Sequence, residues 1–202
     1  MVPVRLLEVV IMIELEKKIL LSEKEYFALI SMINNKTTMS IHKNFYFDSD
    51  DFKMNSQNIT CRIRQKENKC LATIKKHDIN DRSIEESKEV QNEFDDSLFD
   101  GMNIKIQGIL TTERLHMYSD DCCEIVIDKN VFLNTTDYEL EIEYAPGNEA
   151  RVEFLLRNIA KAIQYKVAGI NVEELCDRWK NTKSKSSRFF ERKKLLNKMK
   201  GS

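Results

Sequence analysis

Residues 10–20 alternate between two faces, with Met12, Glu14, Glu16 and Lys18 on one and Ile11, Ile13 and Leu15 on the other. A repeat of two is the geometry of a strand, whose successive side chains point to opposite sides. The apolar run Val9-Val10-Ile11-Met12-Ile13 is bracketed by Glu8 and Glu14 and is too short to cross a bilayer, so it reads as a buried strand. Ser22 stands three residues ahead of Glu25, the spacing of a capping box. Tyr26, Leu29, Ile30 and Ile33 then recur at helical spacing until Asn34-Asn35 closes the helix. Strand patterns return at 39–48, at 60–65 and 69–76 as a hairpin around Glu67-Asn68, and at 83–91. Residues 97–108 read as a helical or irregular connection around Leu98, Phe99, Met102 and Ile106. Three more strands follow at 110–118, 123–131 and 137–144. After Ala145-Pro146-Gly147, a helical face carries Val152, Leu155, Leu156, Ile159 and Ile163. A second helical stretch at 172–179 leads into the basic segment 180–200. Seven or eight antiparallel strands flanked by helices predict an α+β domain, and a sheet of that length tends to curl or close, which removes its exposed edges.

Composition narrows this picture. A chain of 202 residues with 42% hydrophobic positions can bury one substantial core, and five Gly and two Pro leave little for flexible linkers. The 32 basic and 33 acidic residues nearly cancel, so no global field draws the chain to nucleic acid or to an anionic membrane. Any function based on charge must come from local arrangement. The five cysteines are odd in number, and Cys122 and Cys123 are adjacent. That pattern favours reduced thiols in the cytoplasm over a disulfide framework or a zinc site. Met12 would make a natural start, so residues 1–11 are read as an N-terminal extension, 12–190 as a single domain and 191–202 as a basic C-terminal tail.

The candidate chemistry lies in how charge is distributed over the strands. Glu14, Glu16 and Lys18 share a face; Arg62 and Arg64 flank Ile63; Thr73 and Lys75 alternate with Ala72 and Ile74. Arg114 closes a Thr-Thr-Glu-Arg segment, Asp128 ends the face begun by Glu124 and Val126, and Glu139, Glu141 and Glu143 alternate with Leu140 and Ile142. A solvated sheet face also alternates, and any one of these strands alone would be read that way. Together they segregate by sign, with acids on the first and last strands and Arg and Lys on the middle ones. Closing the sheet brings the first and last strands together, where their carboxylates repel unless a hard divalent cation such as Mg²⁺ or Mn²⁺ sits among them. The cationic walls likewise need an anion, and guanidinium groups match phosphate oxygens in pairs. A cavity with both patches suits a polyphosphate. His42, His77 and His116 show no metal-ligand spacing, Trp179 reads as a helix anchor, and no Gly-rich phosphate loop is present.

These elements, in order, resemble the CYTH superfamily, the triphosphate tunnel metalloenzymes. The resemblance rests on Glu14-Leu15-Glu16-Lys17-Lys18, Tyr46-Phe47-Asp48, Cys61-Arg62-Ile63-Arg64, Thr73-Ile74-Lys75, Thr112-Glu113-Arg114, Ile127-Asp128, the run from Tyr138 to Glu143 and Lys185-Ser186-Ser187-Arg188-Phe189. It implies a closed eight-stranded antiparallel tunnel with helices outside, and divalent-metal-dependent hydrolysis of inorganic triphosphate or an organic triphosphate. By position, Glu14, Glu141 and Glu143 would hold a metal, and Glu16 would help place a second metal or the attacking water. Lys18, Arg62, Arg64, Lys75 and Arg114 would bind phosphate oxygens, with Lys18 beside Glu16 in the catalytic run. Glu86, Asp128 and Glu139 would be supporting inward acids, and Lys185 and Arg188 would bind the triphosphate by reaching the tunnel mouth from a C-terminal helix. The alternatives are an adenylate cyclase, which shares the grip on triphosphate, and a module that binds polyphosphate or a nucleotide without turnover.

Overall fold

A computed structural model describes residues 9–33, 37–77 and 82–200. In chain order the elements are β1 (Val10–Leu21), α1 (Glu23–Ile30), β2 (Met39–Asp48), α2 (Lys53–Ser56), β3 (Ile59–Lys66), β4 (Lys69–His77) and β5 (Arg82–Val90). They continue with β6 (Lys105–Ser119), β7 (Cys123–Phe132), β8 (Thr135–Tyr144), α3 (Glu149–Lys166), α4 (Val172–Asp177) and α5 (Lys185–Lys200). The strands form a closed antiparallel barrel in the order β1-β5-β4-β3-β2-β6-β7-β8. Closure depends on the length of β1. Its residues from Val10 to Leu15 pair with β5, and those from Leu15 to Leu21 pair with β8.

The apolar core lies outside the barrel. Ile19, Leu21, Ile125, Ile127, Leu140 and Ile142 point outward from β1, β7 and β8 onto Leu156, Ile159 and Ile163 of α3 and Leu29 of α1. Phe45, Phe47, Ile63 and Ala72 form a second cluster on β2, β3 and β4 with Phe99. On a strand with its apolar residues turned outward, the alternate residues must point into the lumen, and there the buried set is ionic: Glu16, Lys75, Arg114, Asp128, Glu139 and Glu141. α1 starts on the expected capping box, with the Ser22 Oγ accepting from the Glu25 N–H at 3.3 Å and the Glu25 carboxylate accepting from the Ser22 N–H at 2.7 Å.

Several expectations need correction or lie out of reach. Residues 10–13 do form strand, but Ile11 and Ile13 are 70% and 58% exposed, because the helix-covered core takes Ile19 and Leu21 from β1 and nothing nearer its start. Val10 and Ile11, placed in the extension, pair with Ser87 and Glu86 of β5. Residues 105–108, expected in a connection, begin β6, and only Ser97–Phe99 makes a 3-10 turn. α1 ends at Ile30 with Ser31 as its cap, short of Ile33; Asn34-Asn35, residues 1–8 of the extension and the last two residues of the tail lie outside the described residues. The basic tail is helical as far as Lys200, and its Lys193 and Lys194 donate to the Gln107 carbonyl at 2.8 Å and the Asn55 Oδ1 at 2.9 Å.

Candidate active site

The lumen holds a cavity of about 530 Å³ lined by alternate residues of the barrel strands. Glu14, Glu16 and Lys18 of β1, Arg62 and Arg64 of β3, Lys75 of β4, Arg114 of β6, Glu141 and Glu143 of β8 and Lys185 of α5 all reach it. Asp128 and Glu139 lie beneath this lining, fully buried, and Arg188 closes on Glu139 at 2.6 Å. Glu86 is the exception. Ser83, Glu85 and Ser87 share the buried face of β5, so strand alternation turns Glu86 away from the cavity and makes Glu85 the inward acid. The Glu85 carboxylate meets Lys75 at 3.1 Å and Arg62 at 3.4 Å.

Register decides which carboxylates converge. Glu16 lies directly opposite Glu143 in the β1–β8 ladder, whereas Glu14 lies past the end of that ladder, opposite Ser83 of β5. Ligand oxygens of Glu16, Glu141 and Glu143 therefore fall within 4.8 Å of one another, while Glu14 turns to Lys75 at 2.7 Å. Of the four carboxylates expected at a metal, Glu16, Glu141 and Glu143 are thus drawn together, and Glu14 stands apart on Lys75. A second group, Asp128, Glu139 and Glu141, also has its oxygens within 4.8 Å of one another and shares Glu141 with the first. It is threaded by cations. Arg114 donates to both oxygens of Asp128 at 2.9 and 2.8 Å and to Glu141 at 3.0 Å. Lys185 contacts Glu139 at 2.6 Å, Asp128 at 2.9 Å and also Glu141. All-oxygen groups of this size fit a hard divalent ion.

Charge states follow from these contacts. Burial alone would raise the Glu16 carboxyl, but Lys18 and Lys75 outweigh it and hold the group at about 2. Burial and the neighbouring Glu141 lift Glu143 to about 8. Burial opposes the charge on Lys75, yet Glu16, Glu85 and Glu14 keep its ammonium protonated above the usual lysine range. Arg64 differs from the other cations: it makes no ion pair among the described residues, and its Nε donates to Asn44 Oδ1 at 2.9 Å. Burial, then Arg62 and Arg114, lower it to about 10.

The sequence reading missed several cavity residues. His77 lines the lumen two positions after Lys75, and burial with Lys75 and Lys18 nearby depresses it to about 4, a neutral imidazole. Parity with Lys75 was the available signal. Tyr46, Thr60 and Ser186 also line the cavity; the last two are joined hydroxyl to hydroxyl at 2.7 Å, a contact between β3 and α5 that no local pattern announces. Trp179 lies outside the barrel wall with the Lys17 ammonium 4.3 Å from its ring centroid, in keeping with an anchor. All five cysteines are free.

Comparison with known proteins adds the family context. The family profile of the CYTH domain matches residues 12–168. YjbK of Bacillus subtilis (strain 168), named as a candidate triphosphatase, is 28% identical over 159 residues, 70% of this chain and 83% of its own. A Bacillus halodurans crystal structure, described as a candidate adenylate cyclase, superposes with a TM-score of 0.65 at 27% identity over 89% of this chain and 98% of its own. HpAC1 from Hippeastrum, whose structure is described as revealing a dominant triphosphatase activity, superposes at 0.59 over 86% of this chain and 97% of its own, at 16% identity.

Proposed function

The chain belongs to the CYTH domain family, and we propose that it is a metal-dependent triphosphatase working inside its barrel. The observation that carries this reading is one lumen in which a compact carboxylate group, Glu16, Glu141 and Glu143, faces Arg64, a cation with no carboxylate partner among the described residues. Arg64 is half-buried and its guanidinium keeps donors free of any carboxylate among the described residues, and a planar guanidinium suits a phosphate pair of oxygens. Arg62, Lys75, Lys18 and Arg114 would add phosphate contacts by releasing part of their present hold on Glu85, Glu14, Glu16 and Glu143. Glu16, Glu141 and Glu143 would hold Mg²⁺ or Mn²⁺, which supplies charge neutralisation at the phosphate oxygens. Glu16, ionised at neutral pH, would accept a hydrogen bond from the water that attacks the terminal phosphorus. The substrate is inorganic triphosphate or an organic triphosphate.

The single domain expected over residues 12–190 is proposed to run from the start of β1 at Val10 to the end of α5 at Lys200, since Phe189 and Phe190 of α5 complete the cluster on Tyr46, Leu110 and Phe132. Cytoplasmic residence is proposed from the free thiols; no described helix is long and apolar enough to cross a membrane. The balanced charge supports a small-molecule partner over nucleic acid. The test is phosphate release from triphosphate, ATP and thiamine triphosphate with Mg²⁺ or Mn²⁺, with cyclic AMP measured in the ATP arm. Orthophosphate release that stops on chelation is expected. Cyclic AMP as the main product would make the enzyme a cyclase, and tight binding without any product would make it a binding module.

A further inference from the structure

The two carboxylate groups of the lumen share Glu141, and in each the ligand oxygens lie within 4.8 Å of one another, yet their surroundings differ. The outer group, Glu16, Glu141 and Glu143, includes one carboxylate, Glu143, whose only cation among the described residues, Arg114, stands 3.9 Å away. The inner group, Asp128, Glu139 and Glu141, already encloses one: the Lys185 ammonium touches all three residues, at 2.6 Å from Glu139, at 2.9 Å from Asp128 and in contact with Glu141. An ammonium has three N–H donors, and here each has a carboxylate acceptor. The position is that of a bound cation coordinated by three carboxylates.

We propose that Lys185 is a tethered cation that fills the inner carboxylate group, so that the substrate-free barrel holds one divalent ion, at Glu16, Glu141 and Glu143, and not two. This rests on the metal reading of the outer group.

Charge and tethering both argue for it. The acids Asp128, Asp137, Glu139 and Glu141 are met by Arg114, Lys185 and Arg188, which leaves little net charge to attract a dication inward. Lys185 also cannot diffuse away as a solvent ion would. It begins α5, which is fixed a turn later by the fully buried Phe189 and Phe190 and beside it by the Ser186 hydroxyl at 2.7 Å from Thr60. A divalent ion entering the inner group would have to displace an ammonium held at high effective concentration. Lys185 is thus a positioning residue, setting how many ions the shared Glu141 serves.

The experiment counts Mn²⁺ by equilibrium dialysis and by its electron paramagnetic resonance, using the full chain without substrate. Wild-type protein is expected to bind one Mn²⁺ with an uncoupled spectrum. Lys185→Met is expected to bind two, with the spin coupling of ions bridged through Glu141. Lys185→Met combined with Asp128→Asn is expected to return to one. Two ions on the wild type, or one on Lys185→Met with native circular dichroism, would overturn the inference. No ion on the wild type would overturn it together with the metal reading, whereas two would leave that reading intact. Because the wild-type count is decisive by itself, the inference stays exposed to refutation even if a variant does not fold.

Discussion

Glu143 shows how much one register position can determine. It faces Glu16 across the seam that closes the barrel and stands two residues from Glu141 on the same side of β8; burial first, then Glu141, lift its carboxyl from 4.5 to about 8. Between those values the folded protein binds a proton that the unfolded chain has lost, so this group lowers stability as pH rises from about 4.5 to about 8. The unfolding free energy of the wild type, measured relative to Glu143→Gln, is therefore expected to fall across that window; a difference independent of pH would refute the assignment. Metal binding needs the carboxylate, so at pH 7 ion uptake should also release close to one proton, readable by calorimetry in buffers of different ionisation enthalpy. Glu141 and Arg64 separate by role. Glu141→Gln removes a charge from both carboxylate groups and is expected to abolish metal-dependent turnover, while Arg64→Ala deletes one of several phosphate contacts and should act mainly on KM. Near-normal kcat with normal metal dependence in Glu141→Gln would contradict the metal site. At this scale most site residues were legible because each strand's parity is visible in its own few residues. Glu85 and Glu86 were not, since adjacent acids in a strand are resolved only by the pairing of β5 with its neighbours, and the turn of Glu14 away from Glu16, Glu141 and Glu143 was not, since it depends on the stagger between β1 and β8.

At the scale of elements, α5 converts a barrel into a closed site. Its docking relies on one close approach: a Cβ on Gly108 would lie 2.9 Å from the Phe189 ring, so glycine lets the ring sit directly on β6 beside the bulge opposite Tyr46 and Phe47. Phe189 is fully buried among Tyr46, Phe132 and Phe190. Phe189→Ala is expected to cost about 3 to 5 kcal/mol of stability by denaturant unfolding, the range for an aromatic residue deleted from a core. A loss below about 1 kcal/mol would mean that the helix does not dock through this ring. The strands themselves were readable to within a few residues because period-two alternation survives whatever packs on it. What escaped was non-local. The start of β6 looked irregular because Gly108 interrupts its pattern, and the exposure of Ile11 and Ile13 depends on where the helix layer stops. The choice between a docked α5 and a solvated basic tail turned on Phe189 and Phe190, whose partners are on other strands.

At the scale of the whole molecule, the barrel places its greasy faces outward under helices and its charges inward, so the folded state carries an internal electrostatic cost that a ligand can relieve. Carboxylates and cations already neutralise one another in part, as in the contacts of Lys75 with Glu14, Glu16 and Glu85. Neither ligand component alone is then ideal: a dication frees the cations from their acids but leaves them repelling one another, and triphosphate alone frees the acids. Added together, metal and triphosphate satisfy both sets, so their stabilisation should exceed the sum of the separate effects. At a ligand concentration a hundredfold above its dissociation constant, linkage gives about 2.7 kcal/mol. For a domain of this size that corresponds to a rise in Tm of roughly 5 to 10 °C. The comparison uses Mn²⁺ alone, triphosphate alone and both, with sulfate at matched ionic strength as the control for nonspecific anion effects. Arg64→Ala should reduce the gain from triphosphate while leaving the gain from Mn²⁺ alone intact, because it touches only the phosphate side. Unchanged melting with both components at millimolar concentration, or a gain equal to that from sulfate, would contradict a triphosphate site in this lumen.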